Sequence, residues 1–295
     1  MVLQLKKYKT DIIPASLESK ISQYKYAFNS SYLEHKGTKY MALRVFDDFT
    51  KTILALMFYW ENESNIYELN LTHVLKNELG VFKVSDPKLF IMQDKVWGTF
   101  NTGHTRGGNN DIGIFQLEKN KVKSSFLCNY ANRMTIEKNW SFFNENNVLY
   151  ALYNVNPFTI LKGEIVNSKQ IEFRDYYIDD KTSFKKYSIG TPLVKSNDKY
   201  LFIGHYKLFL RKKMVYLGCP FHLKFGSKPV LIKGRLFLFH SIKSLFGSNK
   251  KFNVNLFSCT YFSGLFKENN KIYISYGIND VKWHIVSLIE KVLWP

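Results

Sequence analysis

The residue with the clearest chemical context in this sequence is Asp86, which lies directly before Pro87. Proline disfavours helical geometry for the residue that precedes it, so Asp86 is expected in an extended or turn conformation. An apolar strand is predicted over 89–92 and, after a polar turn, a second one over 96–100. A carboxylate beside such a hairpin can point into a shared cleft. For a lone Asp-Pro pair a solvated turn is the simpler interpretation, so the rest of the chain decides.

Composition is that of a globular chain rich in strands. The 295 residues are 45% hydrophobic and 22% charged, and the high aromatic content of 17% favours strands over helices. No apolar run approaches the ~20 residues that span a bilayer, and the N-terminal residues lack the apolar segment of a signal peptide. Cys128, Cys219 and Cys259 are widely spaced and are expected as buried thiols. Together these features predict a cytoplasmic location.

The formal net charge of +18 implies an anionic partner, such as nucleic acid, an acidic lipid surface or a phosphorylated substrate. Part of the excess lies in short clusters at 6–7, 185–186, 211–213 and 250–251. No helix-turn-helix, zinc-finger or RNA-binding signature accompanies these clusters, so no nucleic-acid partner is expected. Peripheral contact with the anionic inner face of a membrane, through 211–213 or the terminal stretch 286–294, stays open.

One structural unit recurs along the chain. An apolar strand, an amide-rich or acidic turn and an aromatic strand return five times at intervals of about 50 residues. This period is typical of a β-propeller, whereas two stacked sandwiches would not require the repeat. We therefore predict an all-β fold, with residues 1–295 forming a single five-bladed β-propeller of four-stranded antiparallel blades. The expected blades cover roughly 22–75, 80–127, 135–175, 186–255 and 257–292.

Few segments depart from the strand pattern. Helix candidates are 71–79 and 286–293, and residues 1–25 are expected to form an entry strand and a loop. The basic segment 211–224 is interpreted as an insertion that lengthens the last interval of the repeat.

Polar residues at the ends of the innermost strands of a propeller converge on a central funnel. Each such residue alone is more easily explained as structural, but recurrence at equivalent positions of different blades indicates a site. The seven histidines show no HxH or HxxxH spacing, so neither a metal nor a cofactor is expected. The converging candidates are Asn29, Arg44, Asp86, Arg106, Lys138, His205, Tyr276 and Asp280.

These residues resemble the motifs of glycoside hydrolase family 130, the five-bladed β-mannoside phosphorylases and hydrolases, and of their transferase relatives in polysaccharide biosynthesis. All five predicted blades contribute, although Ser85 and Lys88 replace the Glu and Arg that flank the family's catalytic Asp-Pro. The similar segments are Phe28-Asn29-Ser30-Ser31 with Ala42-Leu43-Arg44, Ser85-Asp86-Pro87-Lys88, Glu137-Lys138-Asn139-Trp140, Gly204-His205-Tyr206 and Ser275-Tyr276-Gly277-Ile278-Asn279-Asp280.

The resemblance implies a role for each candidate. Asp86 matches the catalytic residue and would act as general acid or base. Sugar hydroxyls would be bound by Asn29, Arg44 and Asp280, and the sugar ring would stack on Tyr276 or Trp140. Phosphoryl oxygens would be held by Arg106, Lys138 and His205, because charge-assisted hydrogen bonds are the strong ones. The alternatives are core packing for the two aromatic residues, a satisfied buried histidine, a turn cap at Asp280 and a plain turn around Arg106.

The implied function is inverting glycosyl transfer with one aspartate. One carboxylate suffices if phosphate attacks, or if a nucleotide diphosphate leaves without a proton. We expect a glycosyltransferase or glycoside phosphorylase that moves a mannosyl or related hexosyl group in cell-surface glycan synthesis. Its partners would be a sugar donor, either a nucleotide sugar or a sugar phosphate, and a glycan acceptor. The alternative is a non-catalytic propeller that binds anionic glycan or scaffolds a membrane-associated synthesis complex.

Overall fold

The computed structural model describes residues 1–103, 109–118, 120–182, 184–210, 212–246 and 251–294. Strands dominate this part of the chain, so the all-β prediction is confirmed. The strands are β1 (Val2–Gln4), β2 (Tyr26–His35), β3 (Thr38–Asp47), β4 (Thr52–Trp60), β5 (Ile66–Asn70), β6 (Ser85–Met92), β7 (Lys95–Asn101), β8 (Ile112–Glu118), β9 (Lys121–Tyr130), β10 (Ser141–Glu145), β11 (Val148–Val155), β12 (Phe158–Asn167), β13 (Gln170–Asp179), β14 (Tyr187–Ile189), β15 (Val194–Ser196), β16 (Lys199–Leu210), β17 (Lys213–Lys224), β18 (Val230–Lys233), β19 (Phe237–Phe239), β20 (Leu256–Glu268), β21 (Lys271–Ile278) and β22 (Lys282–Ile289). The helices are α1 (Ala15–Ser22), α2 (Leu71–Leu79), α3 (Ile242–Leu245) and α4 (Glu290–Leu293), with a 3-10 turn at Lys6–Tyr8.

The strands form three sheets built from antiparallel meanders. β2 to β5 make a four-stranded sheet in sequence order. β6 to β9 and β10 to β13 are two further meanders, joined into one eight-stranded sheet by parallel pairing of β13 with β9. The ten-stranded sheet combines the strands around β16 and β17 with the β20–β22 meander, again through a parallel contact, between β17 and β20. The division into five four-stranded blades, and their bounds, stay predictions.

Local sequence explains the α2 helix, which has the predicted bounds. The Asn70 side chain accepts a hydrogen bond from the backbone N–H of His73, and Gly80 ends the helix at φ 70°. Leu71 and Leu75 face the apolar core between the first two meanders.

Three segment predictions are wrong. Residues 213–224 form strand β17, paired along its whole length with β16, and are not an insertion. The terminal apolar run 286–293 continues strand β22 to Ile289 and becomes helical only over Glu290–Leu293. The entry segment does begin with the predicted strand, β1, but the predicted loop contains helix α1, which buries Leu17 and Ile21.

Buried hydroxyl groups tie the first strands of neighbouring meanders together. Ser31 Oγ in β2 accepts a hydrogen bond from the backbone N–H of Leu89 in β6 at 2.8 Å. Ser263 Oγ in β20 donates to the carbonyl of Ser30 in β2 at 2.7 Å. These bonds satisfy backbone groups that would otherwise be buried without partners, so they fix how the strands converge. No helix among the described residues is long and apolar enough to cross a bilayer.

Candidate active site

Irregularities in two neighbouring strands position the first pair of site residues. The register of β2 against β3 shifts between Phe28 and Ser31, and that of β6 against β7 shifts between Ser85 and Lys88. Within these irregular stretches Asn29 has φ 54° and Asp86 has φ 50°. Outside glycine, asparagine and aspartate tolerate this left-handed conformation best. A bulge redirects the side chain it carries, and here the two side chains meet: Asn29 Nδ2 donates to Asp86 Oδ1 at 2.9 Å.

The Asp86 carboxylate accepts hydrogen bonds from three residues. Its Oδ1 also accepts from Arg44 Nη1 at 3.0 Å, whereas its Oδ2 has one longer contact, 3.4 Å from the Tyr261 hydroxyl. The Asp86 and Arg44 side chains are each 18% exposed. Burial raises the pKa of Asp86, but the Arg44 charge and the Asn29 hydrogen bond outweigh it, and the pKa lies below its usual value. Asp86 is therefore a carboxylate at neutral pH, with Oδ2 the less engaged oxygen.

Lys88 adds a second buried charge beside Asp86. Its Nζ donates to Asn139 Oδ1 at 2.8 Å and to the Gly190 carbonyl at 2.6 Å, which links β6 to the segments before β10 and β15. Burial lowers the pKa of Lys88 to about 8, against the opposing effect of Asp86. Tyr261 also donates to Asn139 Oδ1, at 3.0 Å. The replacement of arginine by Lys88 thus retains a cation, bound inside the protein.

His205 lies beneath the tyrosine of this network. The side chain is fully buried, its Nε2 accepts the backbone N–H of Phe262 at 2.8 Å, and its ring centroid lies 4.5 Å from that of Tyr261. Burial lowers the pKa of His205 well below its usual value, and the charges of Lys88 and Lys207 add to the effect. The neutral ring carries its proton on Nδ1, because Nε2 is an acceptor. This placement argues against the predicted phosphate contact, and His205 supports Tyr261 instead.

Asp280 approaches the same site from the end of β21. Asn279 and Asp280 follow that strand with φ 54° and 56°, and Asn279 Oδ1 accepts the backbone N–H of Cys259 at 2.8 Å. Burial raises the pKa of Asp280 to about 6; Arg44 opposes the rise and the charge of Asp86 adds to it. The structure therefore brings Asn29, Arg44, Asp86 and Asp280 together, with the two carboxyl pKa values displaced in opposite directions.

Two predicted ring-stacking residues belong to the core, so this prediction is wrong. Trp140 is 1% exposed, and its Nε1 donates to Glu137 Oε2 at 2.8 Å. Tyr276 is fully buried, and its hydroxyl pairs with His240 Nδ1 at 3.1 Å. Neither ring has a face open to a sugar, because aromatic residues inside these strands pack between neighbouring meanders.

The predicted cation Lys138 lies at the edge of the site. Lys138 is exposed. Burial lowers the pKa of the nearby Lys207, and the charge of Lys138 lowers it further. Sequence reasoning overlooked two residues of the site. Lys207 follows the candidate His205 by two residues in β16, and Tyr261 lies in β20. Arg106 lies outside the described residues. Among those residues, no group of three or more His, Cys, Asp or Glu side chains could hold a metal ion.

The architecture is similar to that of several solved carbohydrate-active enzymes. A structure reported with GH130 glycoside hydrolases that target β-1,2-mannosidic linkages in Candida mannan has a TM-score of 0.65 at 10% identity, over 90% of this chain and 85% of that one. A glycosyl hydrolase from Bacteroides ovatus gives 0.61 at 10% identity, over 91% and 86%. The β-1,2-mannobiose phosphorylase from Listeria innocua, bound to β-1,2-mannobiose, gives 0.57 at 12% identity, over 92% and 91%.

The resemblance to glycoside hydrolase family 130 is thereby confirmed at the level of the fold. No family model and no curated protein matches the sequence. Because a fold hosts many activities, the chemistry has to be argued from the site itself.

Proposed function

We propose that this protein is an inverting glycosyl-transferring enzyme of a five-bladed β-propeller architecture, with Asp86 as its proton-transfer group. The observation that carries the proposal is the state of Asp86. It is an ionised carboxylate, held on one oxygen by Asn29 and Arg44, at the point where first strands from several meanders converge. Solved structures of the same fold include enzymes that act on β-mannosides.

The ionised state of Asp86 fits a base and not an acid, even though the lowered pKa makes the carboxylate a weaker base. A general acid needs a proton to give, whereas Asp86 is ionised at neutral pH. In the proposed step, Asp86 Oδ2 takes the proton of an acceptor hydroxyl, the hydroxyl oxygen bonds to the anomeric carbon, and the bond from that carbon to the donor phosphate oxygen breaks. The electron pair leaves with the phosphate, which needs no proton. Attack opposite to the leaving group inverts the anomeric centre.

Surrounding residues have complementary tasks. Asn29, Arg44 and Asp280 bind sugar hydroxyls, and Asp280 offers a proton donor below about pH 6. Lys138 and Lys207 offset the charge that develops on the departing phosphate, as preorganised cations do in phosphoryl and glycosyl transfer. The tyrosine hydroxyl of Tyr261 stays protonated, since burial and the Asp86 charge raise its pKa well above the usual value. Its single proton is donated either to Asn139 Oδ1, at 3.0 Å, or over the longer 3.4 Å contact to Asp86 Oδ2.

Transfer to a glycan is the favoured direction. A base beside a group of cations fits synthesis from a sugar phosphate or nucleotide sugar, with a mannosyl or related hexosyl group, in cytoplasmic assembly of a cell-surface glycan. Phosphorolysis runs the same step in reverse and would require Asp86 to be protonated first.

One observation favours a second candidate, a non-catalytic propeller that binds glycan. Both oxygens of Asp86 already have partners, as they would in a purely structural ion pair. The two functions differ in what Asp86→Asn removes. An enzyme loses turnover and retains ligand binding, whereas a non-catalytic protein binds its ligand but shows no turnover with or without the substitution.

The test is a thermal-shift screen followed by activity measurements on variants. Ligands are inorganic phosphate, mannose 1-phosphate, GDP, UDP and GDP-mannose, because stabilisation grows with the logarithm of ligand concentration over Kd. A shift with a nucleotide or nucleotide sugar supports a transferase, and one with phosphate or mannose 1-phosphate alone supports a phosphorylase. Asp94→Asn is the matched control, in an exposed turn at the far end of β6. No shift with any ligand favours the binding protein.

A further inference from the structure

The β16–β17 hairpin begins at the candidate site and ends in an exposed turn. It continues five residues beyond His205, to Leu210, which corresponds to about 16 Å of strand. The base of the hairpin belongs to the site. Lys207 Nζ lies 5.8 Å from the ring centroid of Tyr216. Burial raises the pKa of Tyr216 to about 12, and the charges of Asp280 and Asp86 contribute to the rise. The hairpin therefore runs from the network around Asp86 to its own tip.

Apolar side chains are exposed at this tip. Phe209 is 71% exposed and Leu210 is 44% exposed. The segment before β20 lies against the hairpin, since the backbone N–H of Met214 donates to the carbonyl of Asn255 at 3.0 Å, and it adds Val254 at 76% exposure. We call Phe209, Leu210 and Val254 the apolar tip. These exposed side chains lie at the end of the hairpin, where they can enter a soft surface.

Lysines surround the apolar tip without acidic partners. Lys212, Lys213 and Lys251 make no salt bridge within the described residues. Burial lowers the pKa of Lys251, and the charge of Lys213 lowers it further, so the two lysines are neighbours. The sequence explains this charge: residues 199–267 contain 13 Lys and Arg and no Asp or Glu, so most of the net charge of +18 arises here.

We propose that the apolar tip and its lysines dock this protein on an anionic lipid surface, with the candidate site turned toward the membrane. Aromatic and aliphatic side chains flanked by lysines suit the lipid interface, where they enter the headgroup region while the ammonium groups meet lipid phosphates. Nucleic acid would leave the exposed Phe209 and Val254 without a partner. A protein partner would have to offer an acidic groove that fits a narrow hairpin, whereas a bilayer accommodates the hairpin without one.

Docking in this orientation has a consequence that rests on the proposed function. A site beside the membrane-bound hairpin receives a sugar donor or acceptor that is anchored to a lipid. A lipid-linked saccharide is therefore the substrate class that this geometry favours over a free oligosaccharide.

Vesicle sedimentation tests the docking without any turnover. The full chain is mixed with vesicles of phosphatidylcholine alone, or of phosphatidylcholine with phosphatidylglycerol, and binding is expected only to the anionic vesicles. Each lysine near such a surface contributes about 1 kcal/mol, so Lys212→Gln with Lys213→Gln should weaken binding about 30-fold. Phe209→Ser with Leu210→Ser should weaken it at unchanged net charge.

The matched control is Ile165→Ser with Val166→Ser, two exposed apolar residues at the far end of β12. Ile165 shares a cleft with Gln93, in the turn that ends β6 opposite to Asp86. This control should bind vesicles as the wild type does. Absence of binding to anionic vesicles, equal binding by all variants, or loss with the lysine pair alone would overturn the proposal. Because sugars are absent, these results do not depend on the thermal-shift test of Asp86.

Discussion

The free energy of unfolding of Asp280→Asn, relative to that of the wild type, should be larger at neutral pH than at acid pH. The pKa of Asp280 is raised from 3.8 to about 6, by burial first, against the Arg44 charge and with the help of Asp86. This difference in pKa corresponds to about 3 kcal/mol, since a tenfold change in a proton-binding constant is about 1.4 kcal/mol. The buried carboxylate is thus tolerated at neutral pH at a cost in stability.

The sign follows from proton binding. The folded protein holds the Asp280 proton more tightly than the unfolded chain, so between about pH 4 and pH 6 the unfolded state carries fewer protons and the free energy of unfolding falls as pH rises. Above about pH 7, where the carboxyl is deprotonated in both states, this loss is complete. Asparagine has no charge to bury at any pH, so the variant escapes the loss. Its free energy of unfolding, relative to wild type, should rise by up to about 3 kcal/mol between pH 4 and pH 7.5.

Urea unfolding followed by tryptophan fluorescence measures this difference, because the chain has five tryptophans. Wild type and Asp280→Asn are unfolded at pH 4, 5, 6 and 7.5. Asp11→Asn is the control for removal of one acidic charge, because the Asp11 side chain is 85% exposed. If the stability difference for Asp280→Asn is the same at pH 4 and pH 7.5, the carboxyl is not held in the environment described.

Three further experiments probe the same network. Arg44→Ala should lower the free energy of unfolding by about 3 kcal/mol, because it leaves a buried carboxylate without its cation. Adding Asp86→Asn should restore part of this loss, and additive effects of the two substitutions in unfolding experiments would contradict the pairing. Because burial lowers its pKa, Lys88 labelled with 13C at its ε carbon should show an NMR titration midpoint near pH 8. A midpoint above pH 10 would contradict the burial of its ammonium group. Gly277→Ala would place its Cβ 2.0 Å from a side-chain oxygen of the site and should lower the melting temperature, whereas Gly226→Ala, with no atom within 4 Å, should not.

The sequence predicts the hairpins well and the long strands less well. Alternating apolar and aromatic residues around an amide-rich turn, as between β10 and β11, require a hairpin whatever surrounds it. The run of basic residues at 211–213 made β17 resemble a solvated insertion, although β17 pairs locally with β16 as a hairpin. The terminal apolar run over 286–293 has no periodicity that separates strand from helix, and its strand conformation is decided by pairing with β21.

The site was predictable where local sequence determines the conformation. Asn29, Asp86 and Asp280 are polar residues at strand ends or turns, so their place in the repeat indicated convergence. Tyr261 and Lys207 lie near such positions but not at them. They reach the site because different meanders pack against one another, and no local sequence pattern indicates that packing. Trp140 and Tyr276 show the reverse problem: a motif names the position, but only burial decides whether an aromatic ring faces the funnel or the core.

Left-handed backbone conformation recurs among the residues of this network, as it also does in the hairpin turns of the chain. Asn29, Asp86, Asn139, Asn279 and Asp280 all have φ between 50° and 62°. Outside glycine this region is sparsely populated and costs on the order of 1 kcal/mol or more at each residue, and glycine would remove that cost. Each position nevertheless carries a carboxylate or amide that reaches the site or bonds a neighbouring strand. Such strain is retained where the side chain itself is needed, and here it is retained around one ionised carboxylate.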